Sequence, residues 1–126
     1  MIGISSTYAY ELLLSDTNSV LIDTRTEEEW SNIGYPKLED GKLIKLSSHL
    51  KPDMRPNENF LELLEESIAD ENTKLIFMCR TNGRSTSAAA LAEENGFENC
   101  YVVKDGFEGS NLGMGWLKNG LPVEKL

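Results

Sequence analysis

The chain has 126 residues, 40% of them hydrophobic and 26% charged, with a formal net charge of −9. That length suits one domain with its own hydrophobic core, and the composition excludes a disordered or fibrous chain. The acidic excess argues against nucleic acid or an anionic membrane as partner, and no apolar stretch approaches the length that spans a bilayer. The opening Met1–Ser6 has neither a basic nor a long apolar region, so no secretory leader is expected.

Ser5-Ser6-Thr7 supplies capping side chains for a short helix over Tyr8–Leu14, which stops near Asp16-Thr17-Asn18. Val20–Asp23 is an apolar run fit for a buried strand. Thr24 or Thr26 can then cap a brief acidic helix carrying Glu27 to Trp30. Gly34, Pro36 and Gly41 break the chain before a strand at Lys42–Lys45. Pro56-Asn57-Glu58-Asn59 opens an amphipathic helix with Phe60, Leu61, Leu63, Leu64 and Ile68 on its apolar side. A buried strand over Leu75–Met78 precedes an alanine-rich helix ending at Gly96, and a further strand follows at Cys100–Val103.

Apolar runs alternating with helical segments predict an α/β fold, a mostly parallel central sheet with helices on both faces. No linker or repeat divides the chain, so a single domain over residues 1–126 is expected. In such folds sites gather at the carboxyl ends of strands. Cys79 sits at one such end and Asp23 to Arg25 at another.

The segment Cys79-Arg80-Thr81-Asn82-Gly83-Arg84-Ser85 reads as a tight loop between strand and helix. Such a turn aims main-chain N–H groups and the positive end of a helix at one sulfur, an environment that favours the nucleophilic thiolate. Gly83 lets the backbone curl close to a ligand, and Thr81 and Asn82 suit a tight loop. Ser85 and Thr86 can cap the following helix. Arg84 can hold an anion or brace the loop, and Arg80 can attract one from the rim. The two arginines form a local positive spot suited to a small anionic substrate.

The other cysteine, Cys100, opens a strand whereas Cys79 ends one. Parallel strands would place them at opposite ends, so no disulfide is expected, and Cys100 reads as a small apolar core residue. Free thiols suit a reducing cytoplasm. One histidine, His49, and scattered cysteines make no metal set; His49 reads as a surface or packing residue. Trp30, Phe107 and Trp116 read as core or pocket walls. Asp23 and Arg25 can contribute to the site, but a structural ion pair or loop brace accounts for them better.

In three ordered segments the chain resembles the rhodanese-like family of sulfurtransferases. Val20-Leu21-Ile22-Asp23-Thr24-Arg25, followed by Glu29-Trp30, is similar to that family's strand-and-turn signature. Cys79 to Arg84 matches its short active-site loop. Asp105-Gly106-Phe107-Glu108-Gly109, then Trp116 and Gly120-Leu121-Pro122-Val123, resemble its C-terminal signature. One stretch departs: Ser31–Leu38 lacks the family's usual Gly-His-Ile segment and is closest to single-domain bacterial variants carrying Gly-x-Pro, here Gly34-Tyr35-Pro36.

The resemblance implies a rhodanese-like fold and a Cys79 nucleophile that takes sulfur from a small anionic donor such as thiosulfate. N–H groups from about Arg80 to Ser85 would stabilise the resulting persulfide. A thiol, a partner protein or cyanide would accept the sulfur, without metal or organic cofactor. Two rivals stay open. A cysteine-dependent phosphatase or arsenate reductase also closes a cysteine loop with arginine, usually with one more residue between them. A non-catalytic binding or sulfur-relay module would keep the fold without turnover. Donor, acceptor, pathway and oligomeric state are not readable from the residues.

Overall fold

The computed structural model describes residues 1–125. Its core is a five-stranded sheet built from β1 (Ile2–Ile4), β2 (Ser19–Asp23), β4 (Leu43–Lys45), β7 (Lys74–Met78) and β8 (Cys100–Val103), in the order β1-β8-β7-β2-β4. Every pairing in it is parallel. Two short antiparallel ladders lie outside it: β3 (Tyr35–Pro36) with β9 (Val123–Glu124), and β5 (His49–Leu50) with β6 (Arg55–Pro56).

Side chains of successive strand residues point to opposite faces, so each central strand feeds two cores. Leu75 and Phe77 join Ile22 and Val102 on one face, under α3 (Phe60–Ser67) and α4 (Gly83–Glu94). Ile76 and Met78 join Leu21 and Val103 on the other, under α1 (Ser6–Ser15) and α5 (Gly115–Lys118). Ala88, Ala89 and Ala92 are the small residues by which α4 lies close on the sheet. Burial on both faces explains why β2 and β7 read as unbroken apolar runs.

The capping expectations hold at two helices. The Ser5 side chain accepts from the Tyr8 N–H at the start of α1. Thr26, rather than Thr24, caps α2 (Glu27–Ile33), and Glu29 completes a capping box with it. Three expectations need correction. Pro56 does not open α3; it pairs with His49 in a ladder, and the helix starts at Phe60. Leu63 is 40% exposed. At ~100° per residue, Leu61, Leu64 and Ile68 fall within an arc on one side of Phe60, and Leu63 falls on the other. Nor do Ser85 and Thr86 cap α4, which begins earlier, at Gly83; their hydroxyls donate back to the Asn82 carbonyl.

Candidate active site

Cys79 follows directly on β7, and the register Asp23↔Met78 sets the end of β2 beside it. Thr24 fastens the two strand ends, donating both its N–H (2.8 Å) and its hydroxyl (3.0 Å) to the Met78 carbonyl. From the other side, the segment after β8 holds the loop. The Phe107 N–H donates to the Cys79 carbonyl (2.9 Å) and the Glu108 N–H to the Arg80 carbonyl (3.0 Å). Asn82 Nδ2 donates to the Lys104 carbonyl at 3.1 Å. Gly106, at φ +66°, is the point of closest approach: a Cβ there would lie 2.5 Å from the Arg80 carbonyl oxygen and also strike that of Thr81.

Among the described residues, no main-chain N–H from Arg80 through Ser85 finds an acceptor. Those of Gly83, Arg84 and Ser85 belong to the first turn of α4, where no preceding turn can satisfy them. The result is a run of free donors curled about one cysteine, at the positive end of a 12-residue helix. Cys79 is only 1% exposed. Its Sγ lies 3.3 Å from Ser85 Oγ, which in turn donates to the Asn82 carbonyl at 3.1 Å. At Gly83 the protein itself would leave room for a Cβ, since no atom stands within 4 Å.

The two arginines of the loop are both compensated. Arg84 Nη1 and Nη2 donate to the two carboxylate oxygens of Glu29 at 2.7 and 2.9 Å. Glu29 also accepts from the Thr26 N–H at 3.1 Å, so one carboxylate both caps α2 and pins the loop. Burial pushes the Glu29 carboxyl up, but the hydrogen bonds from Arg84 and Thr26 outweigh it and hold the group below its ordinary value. The Glu29 hydrogen bond correspondingly raises Arg84, against the effect of burial. Arg84 therefore braces the loop. Arg80 reaches outward, with 63% of its side chain exposed, and pairs with Glu108 at 3.3 Å. The positive spot expected beside Cys79 is thus neutralised by two acids distant in sequence.

Asp23 and Arg25 form a fully buried pair, with Nε–Oδ1 3.0 Å and Nη2–Oδ2 2.8 Å. Arg25 Nη2 also donates to the Gly34 carbonyl at 2.9 Å, and the guanidinium lies 4.0 Å from the centre of the Phe107 ring. Phe107 holds the Cys79 carbonyl, so the pair stiffens the floor beneath the loop without reaching its open side. Trp116 and Phe107 are fully buried and Trp30 nearly so. His49 sits on β5 with Nδ1 2.9 Å from Ser48 Oγ. Cys100 is buried at the start of β8, opposite Leu75, and desolvation by burial raises its thiol to about 11. The strand separates it from Cys79, and both thiols are free.

A cleft of 380 Å³ opens over the loop, with Arg80, Arg84, Glu29 and Glu108 in its wall. Asn32 and Ile33, from the departing Ser31–Leu38 stretch, form part of the same wall. Gly34 ends α2 at φ +102°, and the chain then pairs with β9 through Tyr35 and Pro36. Lys51 and Met54 are cleft residues that the sequence pattern did not single out, and Glu108 entered only as part of the C-terminal signature. Glu29 and Glu108 lie within segments that carry the resemblance, Glu29-Trp30 and Asp105–Gly109, and Glu29 also has the Thr26-x-x-Glu29 spacing of a capping box.

The family model described as the STR4 middle domain matches residues 2–125. An uncharacterised protein of Rickettsia prowazekii is 42% identical over 121 residues, covering 95% of this chain and 94% of that protein. Rhodanese-like domain-containing protein 4, chloroplastic, of Arabidopsis thaliana is 33% identical over 119 residues, covering 94% of this chain but 24% of that longer protein. Among solved structures, Rv0390 from M. tuberculosis superposes with a TM-score of 0.88 at 34% identity, covering 100% of this chain and 98% of that one. The polysulfide-sulfur transferase homodimer of Wolinella succinogenes superposes with a TM-score of 0.77 at 25% identity, covering 100% and 80%. The chain belongs to the STR4 middle domain family and is a rhodanese-like domain.

Proposed function

We propose that the chain is a single-domain sulfurtransferase that carries sulfane sulfur on Cys79. The observation that carries this reading is the run of unpaired N–H groups from Arg80 to Ser85 around a cysteine at the end of β7. The Cys79 thiolate attacks the outer sulfur of a donor such as thiosulfate; the donor's sulfur–sulfur bond breaks, and sulfite leaves with the bonding pair. The enzyme is left as a persulfide. Its terminal sulfur is anionic, and main-chain donors fixed in place before the reaction stabilise it without reorganisation. A nucleophilic acceptor, a thiol or a partner protein in the cell and cyanide in an assay, then attacks that sulfur and returns Cys79 to the thiolate, a ping-pong sequence.

Arg84 and Glu29 hold the loop in this shape, and Asp23 and Arg25 support it from below. The sulfur transferase from Wolinella succinogenes, similar over the whole chain, supports the same chemistry. Two buried free thiols suit a reducing cytoplasm as the working compartment. Intact mass after incubation of reduced protein with thiosulfate tests the reading. A thiol-reversible gain of one sulfur, absent in Cys79→Ala, is expected. A generic aryl phosphatase activity lost in the same variant would instead make the enzyme a phosphatase.

A further inference from the structure

The wall of the cleft carries three cations and three carboxylates. Lys51 faces Glu28 at 3.8 Å, Arg80 faces Glu108 at 3.3 Å and Arg84 faces Glu29 at 2.7 Å. The count, three positive against three negative, leaves the mouth neutral however loosely the exposed pairs are held. Arg84 meets Glu29 through both terminal nitrogens, so its charge is already balanced by a bidentate partner. The chain around this mouth has a net charge of −9. A cleft that concentrates anions needs walls of one sign, and this one lacks them.

The remaining wall is uncharged: Asn32 with two apolar side chains. Ile33 and Met54 line the same 380 Å³ space. Met54 is held at φ +56° in the loop that carries Lys51, the one non-glycine residue among those described with a left-handed backbone. Such a conformation persists only where the surroundings enforce it. Thus the free N–H groups around Cys79 can stabilise the charge of the transferred sulfur, whereas the cleft that Arg80 and Arg84 line offers the rest of the donor an apolar contact and no net charge.

On the Cys79 reading above, we infer that the preferred donor is an organic sulfane-sulfur compound with at most one negative charge and an apolar group, rather than an inorganic dianion. Benzenethiosulfonate represents the class. The Cys79 thiolate attacks its outer sulfur, the bond between the two sulfurs breaks, and benzenesulfinate leaves with the electron pair. Two negative charges are present before the step, on thiolate and donor, and two after it, on persulfide and sulfinate. No outside oxidant or reductant enters.

The test measures the rate of sulfur loading on Cys79 by quenched-flow mass spectrometry, with benzenethiosulfonate and with thiosulfate. The ratio of the two rates is compared with the same ratio for free 2-mercaptoethanol, which removes the donors' intrinsic difference in reactivity. The enzyme's ratio is expected to exceed the free-thiol ratio by about tenfold or more. Glu108→Gln releases Arg80 for a dianion and is expected to lower the ratio by about threefold or more. Met54→Ala is expected to lower the ratio by slowing the organic donor. A ratio at or below that of the free thiol, or one that Glu108→Gln leaves unchanged, overturns the inference while the Cys79 reading stands. Failure of both donors to load folded, reduced protein overturns both.

Discussion

Replacing Glu29 by Gln probes how the Cys79 loop is held. Glu29 closes the capping box of α2 and takes both terminal nitrogens of Arg84. Gln keeps the length and an acceptor for the Thr26 N–H, so the cap survives. What disappears is the charge facing a guanidinium whose side chain is 19% exposed, from a carboxylate 18% exposed. Charge-assisted hydrogen bonds contribute ~1.5–3 kcal/mol when well buried; with water at one edge of the pair we expect a loss of about 1–2 kcal/mol. For a domain of this size that lowers the melting temperature by about 3–8 °C. Glu29→Ala also removes the cap and loses about 1 kcal/mol more.

Urea unfolding of wild type and Glu29→Gln, repeated from neutral pH into acid, separates charge from shape. Folding depresses the Glu29 carboxyl below its ordinary value of 4.5. Its stabilising effect is therefore complete above that value and lost as pH falls through the folded-state pKa. Gln does not titrate. The gap between the two proteins is expected to be widest near neutrality and to close below pH 4.5. A variant as stable as wild type at neutral pH, or a gap that widens in acid, would refute the assignment of Arg84 as a brace held by Glu29.

Three further outcomes are expected. Arg25→Ala leaves the Asp23 carboxylate buried without its partner and should cost about 3–5 kcal/mol, measured by urea unfolding; a loss under about 1 kcal/mol would show that water or rearrangement compensates. Gly106→Ala forces a left-handed backbone on alanine and drives a methyl group against the Arg80 carbonyl, for about 2–4 kcal/mol. Sulfur loading on Cys79 should slow with it, and a fully stable, fully active Gly106→Ala would show that the loop is not clamped there. Cys100, raised to about 11 by burial, should resist iodoacetamide at pH 8 until the protein unfolds; peptide mapping that finds it alkylated in the native protein at the rate of a free thiol refutes the core assignment.

The sheet's middle was readable because it is buried on both faces. Val20–Ile22 and Leu75–Met78 are apolar at successive positions, so they stand out as runs rather than alternations. β1 offers no such run: only Ile4 of its three residues is buried, and its place at the sheet edge comes from pairing with β8. The ladders β3–β9 and β5–β6 are two residues deep, too short for any periodicity, and β3–β9 also joins segments far apart in the chain. Pro56 misled for a related reason. Proline suits both the first turn of a helix and an edge strand, and here the pairing with His49 decides between them.

The site divides in the same way between what is contiguous and what is not. Cys79 to Ser85 can be read as one object because strand, loop and helix follow each other along the chain. The charge of that object cannot, because it depends on Glu29, 55 residues from Arg84, and on Glu108, which arrives after β8. Glu29 stood out in the sequence only as part of an acidic helix and of the Glu29-Trp30 pair; neither that nor the Thr26-x-x-Glu29 spacing tells that its far edge faces an arginine. The consequence reaches function. Two arginines beside a cysteine imply a site that draws anions by charge, whereas one arginine held by both oxygens of Glu29 and another facing Glu108 leave the cleft wall without a net positive charge. The main-chain N–H groups act only at short range, on the sulfur that is already at Cys79. On the sulfurtransferase reading proposed above, recognition of the rest of the donor then falls to shape and apolar contact in the cleft, while the loop handles only the transferred sulfur.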